Sequence, residues 1–247
     1  MPVLVKTLTE HPDLFCGLAI LTVPCLYIAI LQRPCARRDE EMTMVFDRFK
    51  SSERKRLESE HADRIPPGQS LTTGFPVLHY GPVPRTDLSK WNFKVTGLVH
   101  EPLVVNWKEF LELPKKQVTA DIHCVTRWSK LDTTWEGVDV QALLKRVKPK
   151  MNARYVVASC EYGYTTSVPL SVLNDSDTLL AYTYEGQPLS ADHGYPLRLL
   201  VPKRYFWKSA KWLRSLSFLD EDQLGFWERH GYHNNADFWK EQRFLDD

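Results

Sequence analysis

No glycine-rich phosphate loop marks this sequence of 247 residues: neither GxGxxG nor GxxxxGK[ST] occurs, so nucleotide binding through such a turn is unsupported. No CxxC pair is present, and the 5 cysteines are an odd number. Both facts argue against a disulfide framework and a zinc ribbon, and the pattern suits a reducing compartment. Charge of one sign is not in excess, because 32 Lys and Arg face 31 Asp and Glu. Nucleic acid is therefore not an expected partner. Internal repeats are lacking. So is a regular βαβ rhythm, which excludes a doubly wound sheet and points to an α+β fold with a mixed sheet.

What is present suffices for an ordinary core. Hydrophobic residues make up 43% and charged residues 26%, and 8 tryptophans are available to fill a core or wall a pocket for a flat ligand. Leu14 to Leu31 (LFCGLAILTVPCLYIAIL) carries no charge and approaches the length of a membrane span, although Pro24 interrupts it. Arg33, Arg37 and Arg38 follow it. The positive-inside rule then expects a cytoplasmic globular part, anchored by residues 14–31 if they span the membrane. A docking helix is the alternative, and a secretory signal fits less well because no small-residue cleavage site follows. Residues 37–64 are charge-dense with few apolar anchors, as in a solvated linker. Ile65-Pro66-Pro67-Gly68 breaks any helix, so the expected boundary separates an extension, 1–65, from a domain, 66–247.

Within that domain, Trp91 to Gly97 and Pro102 to Trp107 read as strands, and Trp107 to Leu113 as a short helix ended by Pro114. Gln117 to Cys124 alternates, placing Val118, Ala120, Ile122 and Cys124 on one face and Thr119, Asp121 and His123 on the other. Asp139 is positioned to cap a helix through Val147, closed by Pro149. Tyr155 to Ser159, Leu179 to Tyr184 and Leu197 to Val201 are further apolar runs of strand type.

Two features carry potential chemistry. Cys124 ends an alternating strand beside Arg127 and Lys130, where positive charge favours thiolate, the form that attacks electrophiles and binds soft metals. A Cys–His pair with His123 fails if the strand continues, since adjacent side chains face opposite ways; His79 or His193 remains available as a base. A buried structural cysteine is the bland alternative. The second feature is Val201 to Arg214, where Lys203, Arg204, Lys208, Lys211 and Arg214 interleave with Tyr205, Phe206, Trp207 and Trp212. Basic side chains and free amides cradle phosphate, and the aromatics wall a heterocycle. A solvated basic strand reads equally well from composition.

HCVTRWSK at His123 to Lys130 resembles the molybdenum-cysteine segment of the sulfite oxidase family, particularly its small bacterial-type members. FPVLHYGPVP at Phe75 to Pro84 is similar to the family's first cofactor-contacting loop, and HGYPLRLLVP with YFWKSAKW resembles its late cofactor segment. Weaker similarity continues through GFWERHGYHNN. The resemblance implies the sulfite oxidase molybdopterin fold and a molybdenum-molybdopterin oxidoreductase working by two-electron chemistry on a small S- or N-containing molecule, with oxygen-atom transfer. It implies Cys124 as metal ligand and His79, Tyr80, Cys160, His193, Arg198, Ser209, Ala210 and Lys211 as cofactor contacts. Arg127 and Trp128 would border the substrate pocket, and an electron-transfer partner of unspecified identity is implied. Cys160 replaces a threonine of the related reductases and His193 an amide. The classical double arginine near the cysteine is absent, which puts sulfite in doubt as substrate. The alternatives are a Cys-dependent hydrolase or transferase, and a cofactor-binding module without turnover.

Overall fold

The computed structural model describes residues 51–246, so the apolar stretch 14–31 lies outside the described residues. Among the described residues no helix is long and apolar enough to cross a membrane. Helix α1 covers residues 51–60. The compact unit begins at Ser52, so the boundary expected at Pro66 falls inside it. Arg64 explains part of the difference. Its guanidinium donates to both carboxylate oxygens of Asp121, at 2.9 and 2.7 Å, and to Asp132 at 2.6 Å. A planar fork matched to a carboxylate is the geometry arginine serves best.

The fold is two mixed sheets with few helices. Sheet one runs β1 (Ser70–Leu71), β5 (Trp128–Asp139), β8 (Leu179–Tyr184) and β10 (Arg198–Leu200), with β4 (Lys115–His123) on β5 and β9 (Gln187–Pro188) on β8. Sheet two runs β3 (Leu103–Asn106), β2 (Asn92–Gly97), β11 (Leu213–Leu219), β6 (Tyr155–Cys160) and β7 (Thr165–Pro169). The β1–β5 and β2–β11 pairs are parallel and the rest antiparallel. The largest apolar cluster joins Phe93 and Val95 of β2, Val156 of β6 and Leu216 of β11 to Leu199 of β10 and to the helices.

Local chemistry explains the helices. Asn106 and Glu109 form a reciprocal capping box on α2 (Trp107–Leu111), which ends before the expected Leu113. Asp139 caps α3 (Val140–Val147) through the Gln141 amide, and Leu143, Leu144 and Val147 face inward. The remaining short helices are α4 (Leu170–Leu173) and α5 (Phe226–Arg229).

Strand β5 is where the sequence pattern misleads. Trp128, Ser129 and Lys130, which follow the strand that the alternation ends at Cys124, begin β5. Its buried face carries Ser129 and Thr133, small hydroxyls that an apolar pattern does not register. Both are satisfied: Ser129 Oγ lies 2.8 Å from His123 Nδ1, and Thr133 Oγ1 donates to Ala120 O at 2.5 Å. The expected alternation in β4 is broken by a register shift between Ala120 and Ile122, and His123 is buried beside Ile122. Gly137 sits where β5 shifts register against β8, and a Cβ there would lie 2.1 Å from Leu180 O. Gly137→Ala must therefore push two ladder strands apart. We expect a loss of about 1–3 kcal/mol in denaturant unfolding, and an unchanged midpoint would show that the ladder yields freely.

Candidate active site

Cys124 occupies the tip of the β4–β5 hairpin. The tip is a tight turn in which the Cys124 amide donates to Trp128 O at 2.8 Å and the Arg127 amide to Cys124 O at 3.0 Å. Arg127 closes it with φ of 70°, in the left-handed region. The turn projects Cys124, Val125 and Thr126 into a cavity of about 870 Å³.

The cavity gathers segments far apart in sequence. One wall is the loop from Phe75 to Pro82, including His79 and Tyr80; another is Glu161 to Tyr164. Arg198 approaches from β10 and His193 from the helical turn Ala191–His193 before it, followed by Phe206, Trp207 and Ser209 to Trp212, and the rim closes with Phe226, Trp227 and Tyr232. His79, Tyr80, Cys124, His193, Arg198, Ser209, Ala210 and Lys211 thus line one space. Arg127 and Cys160 do not. Cys160 is buried at the end of β6 within the apolar cluster, and burial pushes its thiol up. The left-handed turn carries Arg127 away from the cavity, with Nη1 2.8 Å from where a Cβ on Gly68 would stand. Asp132 and Glu136, the acids beside it in sequence, are engaged by Arg64 and Lys115.

The basic run after Val201 is divided among several roles. Lys203 pairs with Asp175 at 2.6 Å and Arg214 with Glu161 at 2.8 Å. Lys208 is fully buried against Glu228 and donates to Ser167 O at 2.7 Å, locking the turn that precedes Ser209. Only Lys211 of this run lines the cavity as a cation, together with Arg198 of β10.

Arg198 is 1% exposed. Its Nη1 donates to His193 O at 3.0 Å and its Nη2 to Ser209 O at 2.7 Å, while Nε has no partner. The guanidinium stands 4.3 Å from the Phe206 ring centre. Both bonds go to neutral carbonyls. Burial accordingly brings Arg198 down to about 9, a large displacement for an arginine. Lys211 is brought down to about 7 by burial and then by Arg198, its Nζ donating to Asp192 O at 2.6 Å. A buried guanidinium held by carbonyls, with a half-buried ammonium beside it, is costly unless an anion compensates the charge. His193 is a latch. Its Nε2–H donates to Phe75 O at 3.1 Å, Nδ1 accepts from Ser190 Oγ at 2.8 Å, and the ring stacks on Phe75 at 3.9 Å. Burial lowers its affinity for a second proton.

The Cys124 thiol is pushed up by burial, partly opposed by Thr126 Oγ1, which donates to the sulfur at 3.2 Å. Activation by Arg127 and Lys130 is therefore corrected: Lys130 donates to Thr73 O at 2.6 Å, and Arg127 lies outside the cavity. A base from His123 is also excluded by geometry, since its Nδ1 faces Ser129 and burial holds it at about 4. Sequence reasoning missed Tyr162, Tyr164 and Tyr232. Tyr164 is positioned by donating to Trp207 O at 2.8 Å, and its only sequence signal was an aromatic after Cys160.

An aromatic-walled cavity with uncompensated cations and a lone thiol suits a flat, anionic, sulfur-bearing cofactor, and the chain belongs to the oxidoreductase molybdopterin binding domain family, whose sequence profile matches residues 80–227. It is a molybdopterin-dependent oxidoreductase of sulfite oxidase-like fold. Over 191 residues it is 46% identical to the uncharacterized oxidoreductase YuiH of Bacillus subtilis, covering 77% of this chain and 96% of that one. It is 32% identical to a putative protein-methionine-sulfoxide reductase subunit, YedZ1, of Azospira oryzae, covering 68% of this chain and 65% of that protein. It is also 32% identical to sulfite oxidase of Arabidopsis thaliana, over 62% of this chain but only 48% of the plant enzyme. The sulfane dehydrogenase SoxCD of Paracoccus pantotrophus shares the fold, with a TM-score of 0.54 at 23% identity over 62% of this chain and 43% of that one.

Proposed function

We propose that Cys124 ligates the molybdenum of a molybdenum-molybdopterin cofactor and that the enzyme transfers an oxygen atom to or from a small S- or N-containing molecule. The carrying observation is the pair of cations lining the cavity, Arg198 buried and Lys211 half-buried, whose hydrogen bonds go to the backbone carbonyls of His193, Ser209 and Asp192. Arg198, Ser209, Ala210 and Lys211 would hold the anionic end of the cofactor, and the cavity-lining Tyr164, Trp207 and Trp212 would supply apolar walls for it. Among the described residues no group of three or more His, Cys, Asp or Glu forms a metal cage. A single soft thiolate suits a metal whose other sulfurs come from the cofactor. The cofactor supplies the two-electron couple, and this chain supplies orientation, charge and exclusion of water. Electrons reach it through a separate partner, a reading supported by the relative named as a putative reductase subunit. The test is metal analysis with pterin fluorescence on protein from a molybdate-fed host. One molybdenum per chain with pterin is expected; zinc, or folded protein with neither, overturns the reading.

Lys211 adds a pH dependence. In the free protein it titrates near 7, against 10.5 in an unfolded chain, so between these values the unfolded state binds the extra proton. For this group, stability of the cofactor-free protein therefore rises with pH across that window. Anion affinity moves the other way, because the cofactor phosphate needs Lys211 charged. Retention should weaken from about pH 7.5 to about pH 9.5, a range in which a phosphate with a second pKa near ~6 is already fully ionised. Pterin fluorescence after dialysis reads it. A pH-independent loss, or the same slope in Lys211→Met, would remove Lys211 from the anion site.

A further inference from the structure

The hairpin tip that carries Cys124 is held from outside itself, on both sides of the thiol. The Gln69 amide nitrogen donates to Cys124 O at 3.1 Å. On the next carbonyl, Arg243 Nη1 donates to Val125 O at 2.8 Å. The Ser70 amide then donates to Arg127 O at 3.0 Å, in the parallel pairing of β1 with β5. Arg243 also reaches Pro67 O at 3.4 Å, so it bridges the strap before β1 to the turn. It is 4% exposed and lies over the Tyr205 ring at 4.8 Å. Its own backbone is fixed, with the His233 amide donating to Arg243 O at 3.1 Å.

We infer that Arg243 and Gln69 form a clamp of positioning residues that sets where the Cys124 sulfur stands toward the metal, acting through the carbonyls of the turn and touching neither cofactor nor substrate. The clamp rests on the reading of Cys124 as metal ligand. A hairpin tip pinned only by its own turn would let the sulfur drift, and outer partners that orient a ligand commonly govern affinity or activity by about 10–100-fold. The strap and the segment around Arg243 come from opposite ends of the described chain, so the position of the thiol depends on both.

The test uses the full chain in two forms. In cofactor-free protein, N-ethylmaleimide labelling is followed by peptide mass spectrometry at Cys124 and Cys160 separately. Because the Arg243 charge also favours the Cys124 thiolate, rates are compared per thiolate from their pH profiles. On that basis Arg243→Met and Gln69→Glu, the latter the same shape without a donor, should each raise the Cys124 rate about tenfold, leaving Cys160 unchanged, and Arg243→Lys should restore part of the protection. In protein from a molybdate-fed host, the paramagnetic spectrum of molybdenum should shift in both variants, and kcat should fall more than KM rises. An unchanged Cys124 rate in both variants overturns the clamp whatever the metal ligand is. Equal acceleration at Cys160 overturns it as well, because that marks general loosening. Cys124→Ser reads the premise: a molybdenum spectrum that survives it unaltered defeats the ligand assignment. A spectrum lost in Cys124→Ser but unaltered in Arg243→Met and Gln69→Glu defeats the clamp alone.

Discussion

Cys124→Ser is expected to abolish turnover while leaving the fold and most of the pterin in place. The thiol lies at a hairpin tip whose hydrogen bonds, from backbone amides and from Gln69 and Arg243, are made to or by main-chain groups of the turn, so serine fits the same turn. Among the described residues Thr126 alone touches the side-chain atom by a hydrogen bond, and its hydroxyl can donate to oxygen as it does to sulfur. What changes is the ligand. Oxygen is harder than sulfur, and replacing a soft thiolate alters the redox poise of a metal that prefers sulfur. Activity with artificial electron donors and acceptors should fall below detection, with circular dichroism unchanged. Cys160→Ser should be mild by comparison, because Cys160 sits behind the cavity wall in the apolar cluster. An inactive Cys160→Ser beside an active Cys124→Ser would reverse the two roles.

Arg198→Met should empty the site of cofactor. The guanidinium is the most deeply buried charge lining the cavity and, among the described residues, has no carboxylate partner. A hydrogen bond to a charged group contributes about 1.5–3 kcal/mol, or about tenfold to a hundredfold in affinity. The same substitution removes a charge that the cofactor-free protein holds at a cost, which offsets the loss of bonds to His193 O and Ser209 O. Thermal unfolding of the cofactor-free variant should therefore change less than its pterin content. Full pterin occupancy in Arg198→Met would mean that the anion is held elsewhere.

How far the sequence reveals this arrangement depends on the kind of signal. The helix after Asp139 and the strand Leu179–Tyr184 are legible because a cap and an apolar run are local facts. Strand β11 was hidden because a register shift between Leu213 and Ser215 breaks its alternation, and β7 because it buries Thr166 and Ser167. The motifs name most of the cavity, yet they cannot say which way a turn throws its side chains. Arg127 follows the thiol closely in sequence and leaves the cavity because one left-handed residue redirects it. Division of the basic run among Asp175, Glu228, Glu161 and the cavity is likewise decided by partners distant in the chain.

The grip of Arg64 on Asp121 and Asp132 bears on how the protein is handled at the bench. A chain shortened to begin at Pro66 would leave two carboxylates side by side on the β4–β5 hairpin, with the cation between them gone. It would also remove Glu58, whose carboxylate accepts from the Leu71 amide beside the strap. Beginning instead near Ser52 keeps both contacts and still omits the apolar stretch. The two lengths should differ in cofactor yield, because the hairpin they support differently is the one that presents Cys124.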